Sequence, residues 1–166
     1  MIFLIALFNV QFLHAAGNSS LVSNAADRRA ANFTLEDQFG NKTSVQFPSS
    51  KVVVLVFGDR EGSEQVEGWV RPLYNRFKDR IFIFGIAELS AVPWVARPIV
   101  RGIIKNKSEN SIMLDWSGKI AKSYGCEKKK ANVFVISKDG VIKIEKHGAA
   151  STGELQNLYS SISAIL

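Results

Sequence analysis

The sequence predicts an α/β fold with a mixed central β-sheet and helices on both faces. The run "KVVVLVFG" at residues 51–58 is continuously apolar, rich in β-branched residues and too short for a typical helix, so it predicts a strand buried on both faces. Apolar residues recur with the helical period from Glu64, and strand and helix patterns then alternate. The 166 residues, 46% of them hydrophobic, suffice for one domain of ordinary size.

The first part of the globular region predicts a hairpin, a strand and a helix, in that order. Apolar and polar residues alternate over 31–50 around Gly40 and Asn41, which indicates a hairpin, and the strand at 51–58 follows. In the next helix, Pro72 is expected to produce a kink. The apolar face of that helix comprises Val66, Trp69, Val70, Leu73 and Phe77.

The middle of the chain continues the alternation. "RIFIFGIAEL" at 80–89 predicts a second buried strand, and a helical apolar stripe follows, interrupted by Pro93 and Pro98. The stripe comprises Val92, Val95, Ile99, Val100, Ile103 and Ile104. "SIMLD" at 111–115 predicts a short strand, and "SGKIAKSYG" at 117–125 predicts a short helix that Gly125 ends.

The last part predicts a hairpin and a helix. "ANVFVIS" and "VIKIEKHG" are strands joined by the tight turn "KDG", and this closing hairpin makes the sheet mixed. Ser151 and Glu154 have the spacing of a capping box at the start of the final helix. Its apolar face comprises Leu155, Leu158, Tyr159, Ile162 and Leu166.

The N-terminal segment "MIFLIALFNVQFLHAAG" has the pattern of an export signal. Its apolar stretch is too short to span a bilayer and precedes small residues, so we expect residues 1–17 to be a signal peptide or an N-terminal anchor. A buried N-terminal helix is the alternative. Residues 18–30 are small and polar and are expected to be a linker, which leaves 31–166 as the folded domain. This organisation predicts a periplasmic or secreted protein of the bacterial envelope.

Charge and cysteine content limit the partners and the chemistry. A net charge of +6 favours anionic partners such as membrane surfaces, but no nucleic-acid-binding motif accompanies the basic residues, so no nucleic acid is expected as a partner. The single cysteine, Cys126, excludes an internal disulfide, a Cys-x-x-Cys pair and a cysteine-based zinc site. We expect no cofactor and no metal.

Three stretches resemble the thioredoxin-like superfamily, on its redoxin and peroxiredoxin side (the alkyl hydroperoxide reductase/thiol-specific antioxidant group). "FTLEDQFGNKTSVQFPSSKVVVLVFG" is similar to the opening of that group, "MLDWSGKIAKSYG" to its Asp-x-x-Gly-x-x-Ala-x-x-Tyr-Gly segment, and "NVFVISKDGVIKIEKHG" to its last hairpin. The ordered set covers 31–166 and implies a thioredoxin-like three-layer fold. The hairpin, the basic middle helix and the paucity of cysteine also resemble the small periplasmic YtfJ-type branch.

The resemblance also locates the family's active-site cysteines after the first central strand, where this sequence has none. Counted from Phe57 without gaps, the cysteine positions are Gly62 and Gln65. A register that aligns Pro72 with the family's helix proline gives Glu64 and Glu67, and a peroxiredoxin-type count gives Val66. The cis-proline that the family places opposite the cysteines corresponds to Ala131, where a trans bond is expected.

The loop at this position is therefore expected to be a degenerate active site. It comprises Asp59, Arg60, Glu61, Gly62, Ser63, Glu64 and Gln65. Its three carboxylates lie where a helix N-terminus supplies a positive field, so they could cap the helix or, as an alternative, bind a cation. Ser63 has no base partner in the sequence, and His147 is expected to be a surface histidine.

Cys126 is the remaining candidate for thiol chemistry. It precedes Lys128, Lys129 and Lys130, whose charges would favour a thiolate. The alternative is a small apolar residue at a helix end.

A second basic group lies on the middle helix and comprises Arg97, Arg101, Lys105 and Lys107. It predicts either a patch for a membrane surface or an acidic partner, or a solvated face over an ordinary core stripe. Contact with a membrane is expected only through this helix or the N-terminal segment.

These observations together predict an envelope protein with a thioredoxin fold and a degenerate, cysteine-free loop, which works as a non-catalytic binding or accessory protein. The alternative is a single-cysteine thiol oxidoreductase or peroxidase that uses Cys126.

Overall fold

The computed structural model describes residues 28–166. Within them the strands are β1 (Phe33–Glu36), β2 (Lys42–Val45), β3 (Val52–Gly58), β4 (Ile81–Glu88), β5 (Ile112–Asp115), β6 (Asn132–Ile136) and β7 (Ile142–His147). The helices are α1 (Ser63–Phe77), α2 (Arg97–Lys107), α3 (Lys119–Tyr124) and α4 (Thr152–Ile165). Short 3₁₀ turns span Lys78–Arg80 and Trp94–Ala96. The order of elements is the one that the sequence predicts.

The central sheet has the strand order β5-β4-β3-β6-β7. Strands β3, β4 and β5 are parallel, whereas β6 is antiparallel to both β3 and β7, so the sheet is mixed. Strands β1 and β2 form a separate antiparallel hairpin in which Phe33 pairs with Val45. The predicted fold class, an α/β fold with a mixed central sheet, is confirmed.

Strand β3 is the centre of the core, and all seven of its residues are buried. Its side chains alternate between the two faces of the sheet. Val52, Val54 and Val56 pack with α1 and α4. Val53, Leu55 and Phe57 pack with the β1–β2 hairpin and α3. The two layers explain why this run is apolar without interruption.

Helix α1 buries the predicted face, with Trp69, Leu73 and Phe77 as its buried residues, and it continues through Pro72 to its last residue. The indole Nε1 of Trp69 donates to the carbonyl of Gly148 at 2.8 Å, so the buried aromatic also satisfies its polar atom.

Helix α4 has the predicted capping box. The Ser151 hydroxyl accepts from the Glu154 N–H, and the Glu154 carboxylate accepts from the Ser151 N–H. Leu158 and Ile162 are its buried residues.

The middle helix does not have the ordinary core stripe that one of the two sequence-based interpretations predicts. None of the eleven residues of α2 is buried. The helix is tied to its neighbours by arginines instead: Arg97 donates to the carbonyl of Trp116, and Arg101 donates to the carbonyl of Asp37 in the turn of the β1–β2 hairpin. The outward-facing residues of the predicted apolar stripe on α2 are therefore exposed to solvent. Strand β4, expected to be buried, is also only partly covered.

The predicted leader at 1–17 and most of the predicted linker at 18–30 lie outside the described residues. The last three linker residues are attached to the domain, since the N–H of Ala30 donates to the carbonyl of Gly140 and the N–H of Ile142 donates to that of Arg28. In the part of the chain from residue 28 onward, no helix has the length and apolarity needed to cross a bilayer.

Candidate functional site

The three parallel strands β3, β4 and β5 end at one edge of the sheet, at Gly58, Glu88 and Asp115. The carboxyl ends of parallel strands are where α/β proteins form ligand sites. The predicted degenerate loop, residues 59–65, follows β3 directly and leads into α1. The site is therefore built around this loop.

Asp59 holds the loop against the segment before β6. One of its carboxylate oxygens accepts from the N–H of Gly62 at 2.8 Å, and the other accepts from the N–H of Lys129 at 2.7 Å. Its carbonyl also accepts from the N–H of Ser63 at 2.8 Å. Asp59 thus caps the turn before α1 and joins it to a segment 70 residues away in the chain.

Gly62 packs directly on the backbone of Lys130. It is buried, and a Cβ at this position would lie 2.3 Å from the Lys130 carbonyl oxygen and 2.5 Å from the carbonyl carbon. Its φ of −63° is open to any L residue, so glycine is required here by the close approach of the two backbones.

Gln65 closes the contact on the other side. Its Nε2 donates to the carbonyl of Lys129 at 3.3 Å, and its Oε1 accepts from the N–H of Ala131 at 3.1 Å. One amide side chain therefore satisfies a backbone acceptor and a backbone donor two residues apart. We call the contact of Asp59, Gly62 and Gln65 with residues 129–131 the loop clamp.

Ala131 is fully buried at the position that corresponds to the family's cis-proline. Its peptide bond is trans as expected, because the one cis bond within residues 28–166 precedes Pro48. The carbonyl of Ala131 accepts from the N–H of Gly148, so both of its backbone polar groups are paired.

The positions that the registers predict for the family's cysteines differ in their contacts. Gly62 and Gln65, the positions of the ungapped register, both contact residues 129–131, opposite Ala131. Glu64 and Glu67, the positions of the shifted register, are exposed, and Glu67 pairs with Arg71 at 2.6 Å. The residues at the positions of the ungapped register therefore take part in the clamp, whereas those of the shifted register do not.

The loop carboxylates do not converge on a cation site. Both oxygens of Asp59 are bound by backbone N–H groups, and the carboxylate of Glu61 lies 3.4 Å from the Lys129 ammonium. Among the residues that the structure describes, no three His, Cys, Asp or Glu side chains are grouped as metal ligands. The Ser63 hydroxyl donates to the carbonyl of Arg60 at 2.8 Å, so it serves the turn.

Cys126 lies half-buried at the same edge of the sheet. It lines a cavity of about 310 Å³ together with Asp59 and Glu88, and it packs against the core layer on the α3 side. Burial raises the pKa of the thiol to about 12, and the carboxylates of Glu145 and Asp115 add to the rise. The expectation that the neighbouring lysines favour a thiolate is therefore wrong, because desolvation and acidic neighbours outweigh them.

Two of the three lysines after Cys126 form ion pairs with glutamates. The Lys130 ammonium lies 2.6 Å from the Glu127 carboxylate, and Lys129 pairs with Glu61. Lys129 also has a positive φ of 63°, which directs its N–H to Asp59. Lys129 and Lys130 therefore belong to the clamp.

A polar cluster around His147 was not predicted from the sequence. Its Nδ1 lies 2.6 Å from the amide oxygen of Asn132, and its Nε2 lies 3.0 Å from the Glu145 carboxylate. The ring packs edge-on against Phe134. The pairing of Asn132 with His147 across β6 and β7 was the available signal, since a strand register places their side chains together.

Asp115 supports the same edge from below. It is fully buried, and one carboxylate oxygen accepts from the N–H groups of Ile120 and Ala121, each at 3.0 Å. The other accepts from the Ser117 hydroxyl at 3.0 Å. This aspartate begins the segment that resembles the redoxin pattern, and its role here is to hold the start of α3.

Comparison with known proteins gives the fold. No protein-family model and no curated protein matches the chain. The exposed lipoprotein thioredoxin Etrx1 from Streptococcus pneumoniae superposes with a TM-score of 0.64 at 16% identity, over 79% of this chain and 99% of that one. The thioredoxin domain of a thiol-disulfide oxidoreductase from Bacteroides vulgatus gives 0.59 at 20% identity, over 81% and 95%.

A peroxiredoxin is among the similar structures as well. The peroxidoxin BcpB from Mycobacterium tuberculosis superposes with a TM-score of 0.59 at 18% identity, over 84% of this chain and 97% of that one. The structural neighbours are thus thioredoxin-like and redoxin proteins, and this chain has their fold.

Proposed function

We propose that this chain is a thioredoxin-fold protein of the bacterial envelope that acts by binding and has lost dithiol chemistry. The observation that supports the proposal is the loop clamp. Gly62 and Gln65, the cysteine positions of the ungapped register, are engaged with the backbone of residues 129–131.

The clamp opposes thiol exchange for a physical reason. A dithiol site needs a nucleophilic thiolate and room for the disulfide of a substrate to approach it. In this loop the side of Gly62 is filled by the Lys130 backbone, and the N–H and carbonyl groups at Lys129 and Ala131 are already paired. A substrate chain would have to displace these bonds before it could bind there.

The envelope location is supported by the leader-like segment at residues 1–17. It is also supported by a structural neighbour, since Etrx1 from Streptococcus pneumoniae is described as an exposed lipoprotein thioredoxin.

The test is a pair of activity measurements on the purified chain. Peroxide consumption and dithiol-driven disulfide reduction are measured for the wild type and for Cys126→Ser, with an authentic thioredoxin as the assay control. We expect both chains to stay at the rate of the protein-free reaction. Turnover in the wild type that disappears in Cys126→Ser would refute the proposal.

A second candidate, a single-cysteine peroxidase, is favoured by one observation: Cys126 lines the cavity at the carboxyl edge of the sheet. In that reaction the thiolate attacks the peroxide O–O bond, becomes a sulfenic acid and releases water or an alcohol, and an external thiol reduces it. The raised pKa of Cys126 opposes this chemistry near neutral pH, because very little of the thiol is ionised there.

A further inference from the structure

The outer side of α2 and of the 3₁₀ turn before it carries a row of exposed apolar side chains. Trp94 is 77% exposed, Val95 62%, Ile99 67% and Ile103 49%. Val95, Ile99 and Ile103 are spaced by four residues, so they follow one line along the helix. We call these four residues the α2 ridge.

The ridge is not the edge of a buried face. α2 has no buried residue, and the inner row, Val100 and Ile104, is only half-buried. Single exposed apolar residues are ordinary on protein surfaces, but a contiguous row marks a contact surface. The row projects outward from α2 and does not form a groove. It therefore suits insertion into a lipid surface better than binding of a peptide.

The sequence segment that carries the ridge has charge of one sign, although Glu36 of β1 pairs with Arg101 at 3.4 Å. Residues 89–108 contain four basic side chains and no acidic one. Lys107 is four residues after Ile103 and continues the line of the ridge. Arg97 and Arg101 lie on the inner side of the helix, where they line a cleft of about 380 Å³ together with Trp94 and Trp116. Because Trp94 belongs to both, the cleft adjoins the ridge.

This combination matches the chemistry of an anionic lipid surface. Aliphatic side chains of an interfacial helix insert among the acyl chains and headgroups, tryptophan favours the headgroup level, and basic residues are attracted to lipid phosphates. A second copy of the chain would bring the same four positive charges together, so the charge disfavours it as the occupant.

We propose that the α2 ridge docks on an anionic phospholipid surface, with its apolar side chains inserted at the headgroup boundary and Arg97 and Lys107 near the lipid phosphates. The docking is independent of whether Cys126 has any thiol chemistry. It names a partner that the proposed function leaves open.

The test measures binding of the full chain to vesicles. Equal mixtures of phosphatidylglycerol and phosphatidylcholine are compared with pure phosphatidylcholine, at low and at physiological salt. We expect binding only to the anionic vesicles, and weaker binding at the higher salt because counterions screen the attraction. Binding of equal strength to both vesicle types that the ridge variants retain would overturn the proposal, because an apolar anchor elsewhere would explain it.

Two variants and their matched controls assign the binding to the ridge. Arg97→Glu/Lys107→Glu should weaken it by at least about 25-fold, from roughly fivefold for each basic residue lost. Arg76→Glu/Lys143→Glu makes the same change in net charge at exposed sites on α1 and β7 and should leave it within about twofold.

Ile99→Ser/Ile103→Ser should also abolish the binding, whereas Tyr74→Ser, at a residue 61% exposed on α1, should not.

Wild-type binding by the ridge variants would overturn the proposal. So would a dimer in sedimentation velocity that Ile99→Ser/Ile103→Ser abolishes in a chain that does not bind vesicles. A second measurement does not depend on the ridge variants and remains valid if they fail to fold. Brominated phosphatidylglycerol should quench the tryptophan emission of the wild-type chain. The single substitution Trp94→Phe should remove most of that quenching. Equal quenching in Trp94→Phe would contradict the docking geometry.

Discussion

Replacement of Gly62 by alanine tests the clamp with a single methyl group. The added Cβ would lie 2.3 Å from the Lys130 carbonyl oxygen, whereas real Cβ contacts under 3.0 Å are essentially absent. The φ of −63° at Gly62 suits alanine, so any loss of stability comes from this contact and not from backbone strain. Overpacking costs about 1–3 kcal/mol, and the value should be near the upper end because backbone atoms cannot rotate away.

Gly68→Ala is the matched control. Gly68 is exposed in the same helix, and its added Cβ would meet no atom closer than the Ala150 Cβ at 3.7 Å. The substitution should therefore raise the free energy of unfolding by about 0.5–1 kcal/mol, which is the helix preference of alanine over glycine. The two variants should differ by about 1.5–4 kcal/mol in opposite directions from the wild type.

The assay is urea unfolding followed by tryptophan fluorescence, to which Trp69 on the buried face of α1 contributes. We expect the midpoint of Gly62→Ala to fall and that of Gly68→Ala to rise, with unchanged slopes. A Gly62→Ala chain as stable as the wild type would refute the close packing of the loop on residues 129–131.

Three further experiments test the surroundings of Gln65, Cys126 and Asp37. Gln65→Ala leaves the buried N–H of Ala131 without its acceptor and should cost about 1–3 kcal/mol in urea unfolding, whereas Gln65→Glu keeps that acceptor and should cost less; equal losses would argue against the bond. Alkylation of Cys126 by iodoacetamide should rise up to the highest pH at which the fold survives, in line with a pKa of about 12, and a plateau below pH 9 would contradict its burial. Burial alone would raise the pKa of Asp37, but hydrogen bonds led by the Asn41 N–H lower it on balance. The contribution of ionised Asp37 to the free energy of unfolding is therefore complete above the ordinary aspartate pKa and is lost as the pH falls through the folded-state pKa. When stability is measured against pH in acid, Asp37→Asn should lack this loss. Identical stability curves for the two chains would refute the prediction.

The sequence predicted the elements well wherever one periodicity dominates. Strand β3 has apolar side chains at every position because both faces of the sheet are covered, and that requirement is visible in the sequence alone. The capping box of α4 and the end of α3 at Gly125 are local features, formed by residues close in the chain, and they also occur as predicted.

The sequence could not predict what the apolar stripe of α2 meets. A helical period shows which residues share a face, but the contact of that face depends on where the helix lies. Here the arginine bonds to Asp37 and Trp116 hold α2 beside the hairpin turn and the loop after β5, and Ile99 and Ile103 face solvent.

The clamp could not be predicted from local sequence patterns for a similar reason. Gln65 and Ala131 are 66 residues apart, and their bond exists only because β3 and β6 are neighbours in the sheet. The absence of cysteine at Gly62 and Gln65 was visible in the sequence, but the contacts that replaced it were not. Likewise, the lysines after Cys126 are near it in the chain, whereas the surroundings that raise its pKa come from other elements.

Hydrogen exchange at three backbone amides tests the central claim, that the position of the thiol site is closed by the loop clamp. The amides of Gly62, Lys129 and Ala131 donate to Asp59 and Gln65. They should exchange well below the free-peptide rate, and Gln65→Ala should remove the protection at Ala131 first. Exchange of all three at the free-peptide rate in the wild type would contradict the claim, because the loop would then be open to a ligand.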